Sequence, residues 1–312
     1  MLQQTQVVTV LPYYKRFLLA FPTVQSLASA KMNDVLKLWQ GLGYYARARN
    51  LWFSARKIVS QFGGTLPATI SELRTLSGIG RSTAGDILNI AFGQRHPMLD
   101  GNVKRILIRY FCIFDDPKDK TVDAELWRLS EAMLPKENIN YYTQAIMDLG
   151  ATLCLPKMPK CDCCPVSSSC QGYQKGVQNN LPIMPVRKKT PHYDYVCAVI
   201  QKKEKVLIKK RKETGLLGGL WEFPCGRVTD MNRSFNEIIA TEIGQEISLI
   251  PLEIKIKHAF THFKMTFHLF SGTIRRSTEK LPLKWVSIDC LKEYPFSSAH
   301  QKIILKLPFV KL

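Results

Sequence analysis

The chain has 312 residues, 46% hydrophobic and 22% charged, the balance of a soluble globular protein long enough for two domains. Its 44 Lys and Arg against 25 Asp and Glu give a formal net charge of +19, which calls for an anionic partner, nucleic acid first. No apolar run approaches the roughly 20 residues that span a bilayer and no signal-peptide pattern opens the sequence, so a cytoplasmic protein without a membrane partner is expected, and its nine cysteines are not expected to build a disulfide framework.

Residues 1–150 read as helices. Met1-Leu2 is expected to open the first one, with neither a cap residue nor a preceding turn. Val35-Leu36-Leu38-Trp39, Leu51-Trp52-Ala55-Ile58-Val59 and Leu126-Leu129-Met133 recur at helical spacing between Gly and Pro punctuation. The stretch LSGIGRSTAGDIL (76–88) puts three glycines within eight residues. Gly78-Ile79-Gly80 is expected to turn between two helices and expose backbone N–H groups at the start of the second. A phosphate suits that position, although an ordinary helix–helix turn would look the same. In HPMLDGNVKRILIRY (96–110), Asp100 stands at the mouth of a helix beginning near Asn102 or Val103, with Lys104, Arg105 and Arg109 along it. Taken alone, Asp100 reads as a helix cap.

Five cysteines fall within seventeen residues. Cys154, Cys161, Cys164 and Cys170 have the spacing C-x6-C-x2-C-x5-C on a loop rich in Pro and Lys. Four thiolates there can hold zinc or an iron–sulfur cluster. The single C-x2-C knuckle and unequal spacing suit a 4Fe–4S cluster better. Cys163 is a fifth candidate, whose use would break the x2 and x5 spacing. Cys112, Cys197, Cys225 and Cys290 are scattered among apolar neighbours and read as core.

Residues 176–193 (GVQNNLPIMPVRKKTPHY) carry three prolines and read as a linker. The texture then changes. Strand-like runs at 195–200 and 205–209 flank the turn QKKEK, and a glycine-rich loop (Gly215, Gly218, Gly219) follows. A helix near 234–243 precedes strands at 254–260 and 265–274, giving an α+β module of about 120 residues.

The hairpin LSGIGRSTAG, then LDGNVKR, then the cysteine spacing, in that order in a basic helical region, resemble the helix-hairpin-helix DNA glycosylases. With MLQQTQV, GLGYYARARN, MDLGATLC and the added α+β module, the chain is similar to adenine DNA glycosylases of the MutY type. The resemblance implies an all-α helix-hairpin-helix glycosylase domain with an iron–sulfur loop (1–175), the linker (176–193) and an α+β Nudix-like domain for 8-oxoguanine recognition (194–312). It implies a monomeric, monofunctional base excision repair enzyme that hydrolyses the N-glycosidic bond of adenine. Its partner would be double-stranded DNA with adenine:8-oxoguanine or adenine:guanine mispairs, in the cytoplasm, at the nucleoid in a bacterium.

Residue by residue, the resemblance makes Asp100 catalytic, stabilising an oxocarbenium-like sugar, with Asn102 ordering the site. Gly78, Gly80 and Ser82 would contact DNA. Ser82 stands where bifunctional relatives carry a Schiff-base lysine. Gln144 would contact the adenine edge, and Gln4 and Tyr44 would enter the DNA stack. In Tyr44-Tyr45, core packing is the alternative. Thr261 and His262, within Phe260-Thr261-His262-Phe263, match the family's Phe-Ser-His recognition loop, with Thr for Ser. The acidic Nudix box is missing, so the module is expected to bind and not to hydrolyse.

Two expectations qualify this. The family's general-acid glutamate would lie before Met1, so the start is expected to be internal; a chain that truly begins here would bind mispairs without efficient excision. An endonuclease III-type glycosylase/lyase is a further alternative, which Ser82 and the second module oppose.

Overall fold

The computed structural model describes residues 1–183, 189–229, 233–274 and 282–307. Residues 184–188 of the expected linker and 308–312 of the expected second domain lie outside the described residues. In chain order the elements are α1 (Val7–Ala20), α2 (Val24–Ser29), α3 (Met32–Leu38), α4 (Ala46–Gln61), α5 (Ile70–Leu73), α6 (Arg81–Phe92), α7 (Gly101–Tyr110), α8 (Lys120–Ala132), α9 (Ile139–Thr152) and α10 (Gln171–Gln174). There follow β1 (His192–Lys202), β2 (Lys205–Lys210), β3 (Trp221–Glu222), β4 (Cys225–Arg227), α11 (Phe235–Ile243), β5 (Ile247–Ala259), β6 (Lys264–Ile274), β7 (Leu283–Ser287) and α12 (Ser298–Lys306). A helical part followed by an α+β part is therefore what the chain forms. It folds as two compact units, Met1–Gly64 with Lys189–Leu312, and Thr65–Lys188.

In the first unit, α1–α4 close around Val35, Leu36, Trp39 and Ala48, and Leu220 from the glycine-rich loop belongs to the same core. Arg49, buried on α4, donates to the carbonyl of Gly218 at 2.7 Å and so holds that loop. The first helix starts later than expected. Residues 1–6 form a turn with Gln4 in the left-handed region (φ 55°), and α1 begins at Val7. Arg47 explains the difference. Its guanidinium takes the carbonyls of Met1 and Gln3 and the Thr5 hydroxyl, so those carbonyls cannot serve helix hydrogen bonds.

The α+β part is a twisted sheet in the order β3-β2-β1-β6-β5, with β4 also paired to β1 and β7 to β2. β1 runs parallel to β6 from His192↔Lys264 to Ile200↔Gly272, and the other pairs are antiparallel. Val196–Ile200 are buried in succession because β1 is covered on both faces. One face packs Phe223, Phe267, Phe296 and Ile303; the other packs Ile238, Ile239 and Ile243 of α11. Helix α11 begins with a Ser234–Glu237 capping box and ends at Gly244. The second unit collects α5–α10 around Met98, Leu107, Ile108 and Leu126.

His300 on α12 is buried in the sheet core, its Nδ1 accepting from the Phe223 N–H at 3.2 Å. Burial, then the charge of Arg211, pushes its pKa down to about 3. The unfolded chain takes up this proton near pH 6.5 and the fold does not, so stability falls as pH drops from 6.5 towards 3. We expect a loss on the order of 4 kcal/mol across that window. His300→Gln, which keeps the acceptor, should flatten this limb in urea titrations run at stepped pH.

Candidate active site

The glycine hairpin forms as its sequence suggests. After α5 the chain turns with Gly78 in the left-handed region (φ 78°), and Gly80 is the N-cap of α6 without a side-chain cap. A β-carbon at Gly80 would meet nothing within 4 Å, so the space before the helix mouth is open. Backbone N–H groups face it with the positive end of a 12-residue helix dipole. Ser82, one residue inside α6, accepts the Leu99 N–H at 3.0 Å on Oγ. It thereby pins the segment leading to Asp100.

Asp100 is the N-cap of α7. Its Oδ1 accepts from the N–H groups of Asn102 at 2.9 Å and Val103 at 2.8 Å. The capping role is thus real, and it leaves Oδ2 without a hydrogen bond among the described residues. Asn102 is held in turn, its Oδ1 accepting from Arg105 at 3.0 Å. Gln144 lies exposed on α9 and donates to Asp148 at 2.9 Å.

Four cysteines converge beyond the same helix. Cys154, Cys161, Cys164 and Cys170 line one cavity with Arg109, Tyr110 and Tyr173, whereas Cys163 is exposed and takes no part. Burial, then the thiols of Cys154, Cys170 and Cys164, pushes the Cys161 thiol up, as convergence requires. A tetrahedral zinc with Zn–S near 2.3 Å needs its sulfurs about 3.8 Å apart. Among the described residues, the three metal-binding side chains with ligand atoms all within 4.8 Å of one another are Glu222, Cys225 and His300, not the loop cysteines. No three of the four loop sulfurs fall within that 4.8 Å limit of one another. The Glu222–Cys225–His300 group suits a metal poorly: Nδ1 of His300 already accepts a proton donor, so Nε2 keeps its hydrogen, and Arg211 occupies Glu222.

Two of the three basic residues read along α7 do not face solvent, whereas Lys104 is partly exposed and pairs with Asp123. Arg105 and Arg109 are buried, 8% and 2% exposed. Arg105 donates to the carbonyls of Cys154 and Gly150, both at 2.8 Å, besides Asn102. Arg109 donates to the carbonyls of Leu155 at 2.6 Å and Leu181 at 2.9 Å, and to Sγ of Cys154 at 3.3 Å. One helix therefore carries Asp100 at its mouth and grips the cysteine loop with its buried face.

The other unit holds the remaining candidates. Tyr45 is core, whereas Tyr44 is exposed with φ 50°. Phe260 and Phe263 close the tip between β5 and β6 by a 2.8 Å backbone bond and ring packing at 4.8 Å, leaving Thr261 and His262 exposed. The Tyr44 and Thr261 hydroxyls lie 3.0 Å apart, in hydrogen-bond contact. Arg47, which sequence reasoning passed over, spans the Gln4 turn, the Gly43 carbonyl at 3.2 Å and the Tyr44 ring at 5.4 Å. Its basic neighbours in ARARN hid it.

Residues 1–132 match the model of the HhH-GPD superfamily of base excision DNA repair proteins, and 195–306 match a NUDIX domain. An adenine DNA glycosylase of Rattus norvegicus is 33% identical over 97% of this chain and 69% of its own length. One from Buchnera aphidicola subsp. Acyrthosiphon pisum is 37% identical over 84% and 74%. The chain belongs to the adenine DNA glycosylase family. It is a base excision repair enzyme that acts on DNA and hydrolyses N-glycosidic bonds of adenine. Among solved structures, a thermostable thymine-DNA glycosylase aligns with TM-score 0.49 at 26% identity, over 56% of this chain and 80% of that one. Among the described residues no helix is long and apolar enough to cross a membrane.

Replacing Arg105 by Met would strand two carbonyls and the Asn102 amide. We expect a loss of about 3 kcal/mol, since each buried acceptor left unpaired costs about 1–3 kcal/mol. Urea unfolding of the two proteins side by side checks this.

Proposed function

We propose that the chain excises adenine paired with 8-oxoguanine or guanine in double-stranded DNA, as a monofunctional monomer in the cytoplasm. The hydrogen-bonded Tyr44 and Thr261 hydroxyls carry the mispair part of this reading. An exposed aromatic ring that can wedge into a base stack thus sits against the tip whose Thr261 and His262 would read the 8-oxoguanine. Gln4 enters the stack from the turn that Arg47 ties to Tyr44. The backbone at Gly78 and Gly80 and the first turn of α6 at Ser82 hold a DNA phosphate, a contact that positions without reading sequence.

With the adenine turned out of the stack, Gln144 meets its edge. As the C1′–N9 bond breaks, its electron pair leaves with the base and the sugar becomes oxocarbenium-like. Asp100, fixed at the mouth of α7 through Oδ1, stabilises that charge with Oδ2, and Asn102 keeps the carboxylate in place. Water then adds to C1′, its oxygen staying on the sugar and one proton ending on the departed adenine, so the sum is hydrolysis. Ser82 has no amine to form a Schiff base, so the strand stays intact. Cys154, Cys161, Cys164 and Cys170 hold a 4Fe–4S cluster, which would staple the loop that Arg105 and Arg109 grip. The domain limits 1–175, 176–193 and 194–312 describe the glycosylase part, linker and Nudix-like recognition part.

A single-turnover assay on a duplex with one adenine opposite 8-oxoguanine, followed by alkali, tests this. We expect abasic sites from the wild type and a rate about 10²- to 10³-fold lower from Asp100→Asn. Faster excision opposite thymine than opposite 8-oxoguanine, or strand cleavage without alkali, would contradict it.

A further inference from the structure

The guanidinium of Arg47 joins two separate pieces of chain. One terminal nitrogen donates to the carbonyls of Met1 and Gln3. The other donates to the Thr5 hydroxyl at 3.0 Å and to the Gly43 carbonyl at 3.2 Å. Its Cζ stands over two rings, 5.5 Å from the centroid of Trp39 and 5.4 Å from that of Tyr44. Trp39 is buried in the core of this unit and its Nε1 donates to the same Gly43 carbonyl at 3.0 Å, so the bridge rests on a fixed floor. Among the described residues no carboxylate pairs with Arg47, and its Nε is buried without a partner. Backbone and ring contacts, not an ion pair, hold it in place.

The bridge ends at two strained positions. Gln4 stands at φ 55° between Gln3 and Thr5, and Tyr44 at φ 50° beside Gly43. The left-handed region is costly for a residue with a β-carbon and persists only where the surroundings over-determine it. Here Arg47 supplies the surroundings. The acceptors on either side of Gln4 are both bound to it, and so is the carbonyl just before Tyr44. The backbone N–H of Arg47 adds a 2.9 Å bond to the Tyr44 carbonyl. Gln4 and Tyr44 themselves are exposed. One buried fork therefore fixes the backbone under two outward side chains that lie forty residues apart in the chain.

We propose that Arg47 is a positioning residue for mispair entry, locking Gln4 and Tyr44 into one pre-set pair that enters the base stack together. This rests on the reading of Gln4 and Tyr44 given above. A fixed pair inserts without first ordering each backbone, and that ordering is where a loose pair loses rate. A lysine ammonium keeps the charge but gathers its donors at one point, whereas the acceptors here lie at both ends of the guanidinium.

The test is single-turnover excision by the full chain on a duplex with one adenine opposite 8-oxoguanine. Arg47→Met is placed in two backgrounds, the wild type and Gln4→Ala/Tyr44→Ala. In the wild type it should slow excision about 10²-fold, as lost positioning does. In the double variant, which has no pair to hold, it should add no more than about twofold. Arg47→Lys should be as slow as Arg47→Met. Thr5→Val removes one acceptor and leaves the guanidinium, so it decides the same comparison should Arg47→Met not fold. It should be about fivefold slower in the wild type and without effect in the double variant. A 2-aminopurine placed beside the 8-oxoguanine should brighten when the wild type opens the stack and stay dark with Arg47→Met.

An equal loss in both backgrounds would make Arg47 only a structural residue, and full rate from Arg47→Lys would make it only a charge. Either result overturns the proposal, as does full rate or equal brightening from Arg47→Met. If Gln4→Ala/Tyr44→Ala excises as fast as wild type, the reading of those two residues fails and this one with it. If the wild type does not excise, the fluorescence comparison alone decides for or against Arg47.

Discussion

Helix α7 is the member on which the site depends. Its first turn is closed by Asp100, so the carboxylate is immobilised by the same two hydrogen bonds that begin the helix. Its buried face carries Arg105 and Arg109, whose guanidinium groups satisfy carbonyls at the edge of the cysteine loop. Buried charges of this kind are tolerated only when fully hydrogen-bonded. The loop, the helix and the carboxylate are therefore one mechanical object, joined through Asn102.

Around that helix the chemistry divides by environment. The hairpin presents unspent N–H groups and a helix dipole to the outside, where an anion can approach. Inward, the same α6 presents a polar face stitched to the segment before Asp100, where Oδ1 of Asp86 is buried without a hydrogen-bond partner. The +19 charge draws the molecule to DNA, yet its buried arginines do structural work. In the other unit, the base of the tip between β5 and β6 is a cluster of rings, which leaves Thr261 and His262 exposed.

Much of this was legible in the sequence because local chemistry dictates it. Glycine in a left-handed turn, a cap residue before a helix and four cysteines at unequal spacing each declare themselves within a few residues. What escaped depends on residues far apart in the chain. Arg47 became significant only when its partners at 1–5 and 43–44 met it, and those bonds moved the start of α1 to Val7. Nothing in the spacing of Arg105 and Arg109 declares their burial, because periodicity cannot tell a solvated cation from one capped by carbonyls. Tyr44 and Tyr45 are neighbours with opposite fates, set by a positive φ at Tyr44. Asp86 in RSTAGDIL resembles any polar helix residue until its neighbours four before and three after are seen bonded to the same strip of backbone.

The central claim is that the cysteine loop holds Asp100 through α7. Amide hydrogen exchange at Asn102 and Val103, the two donors to Asp100, tests it most directly, in the wild-type chain and in Cys161→Ser. If the loop, α7 and Asp100 act as one body, both amides exchange faster once the loop is loosened. If the loop amides exchange freely while Asn102 and Val103 stay as protected as before, the carboxylate is held by the helix alone and the account is wrong.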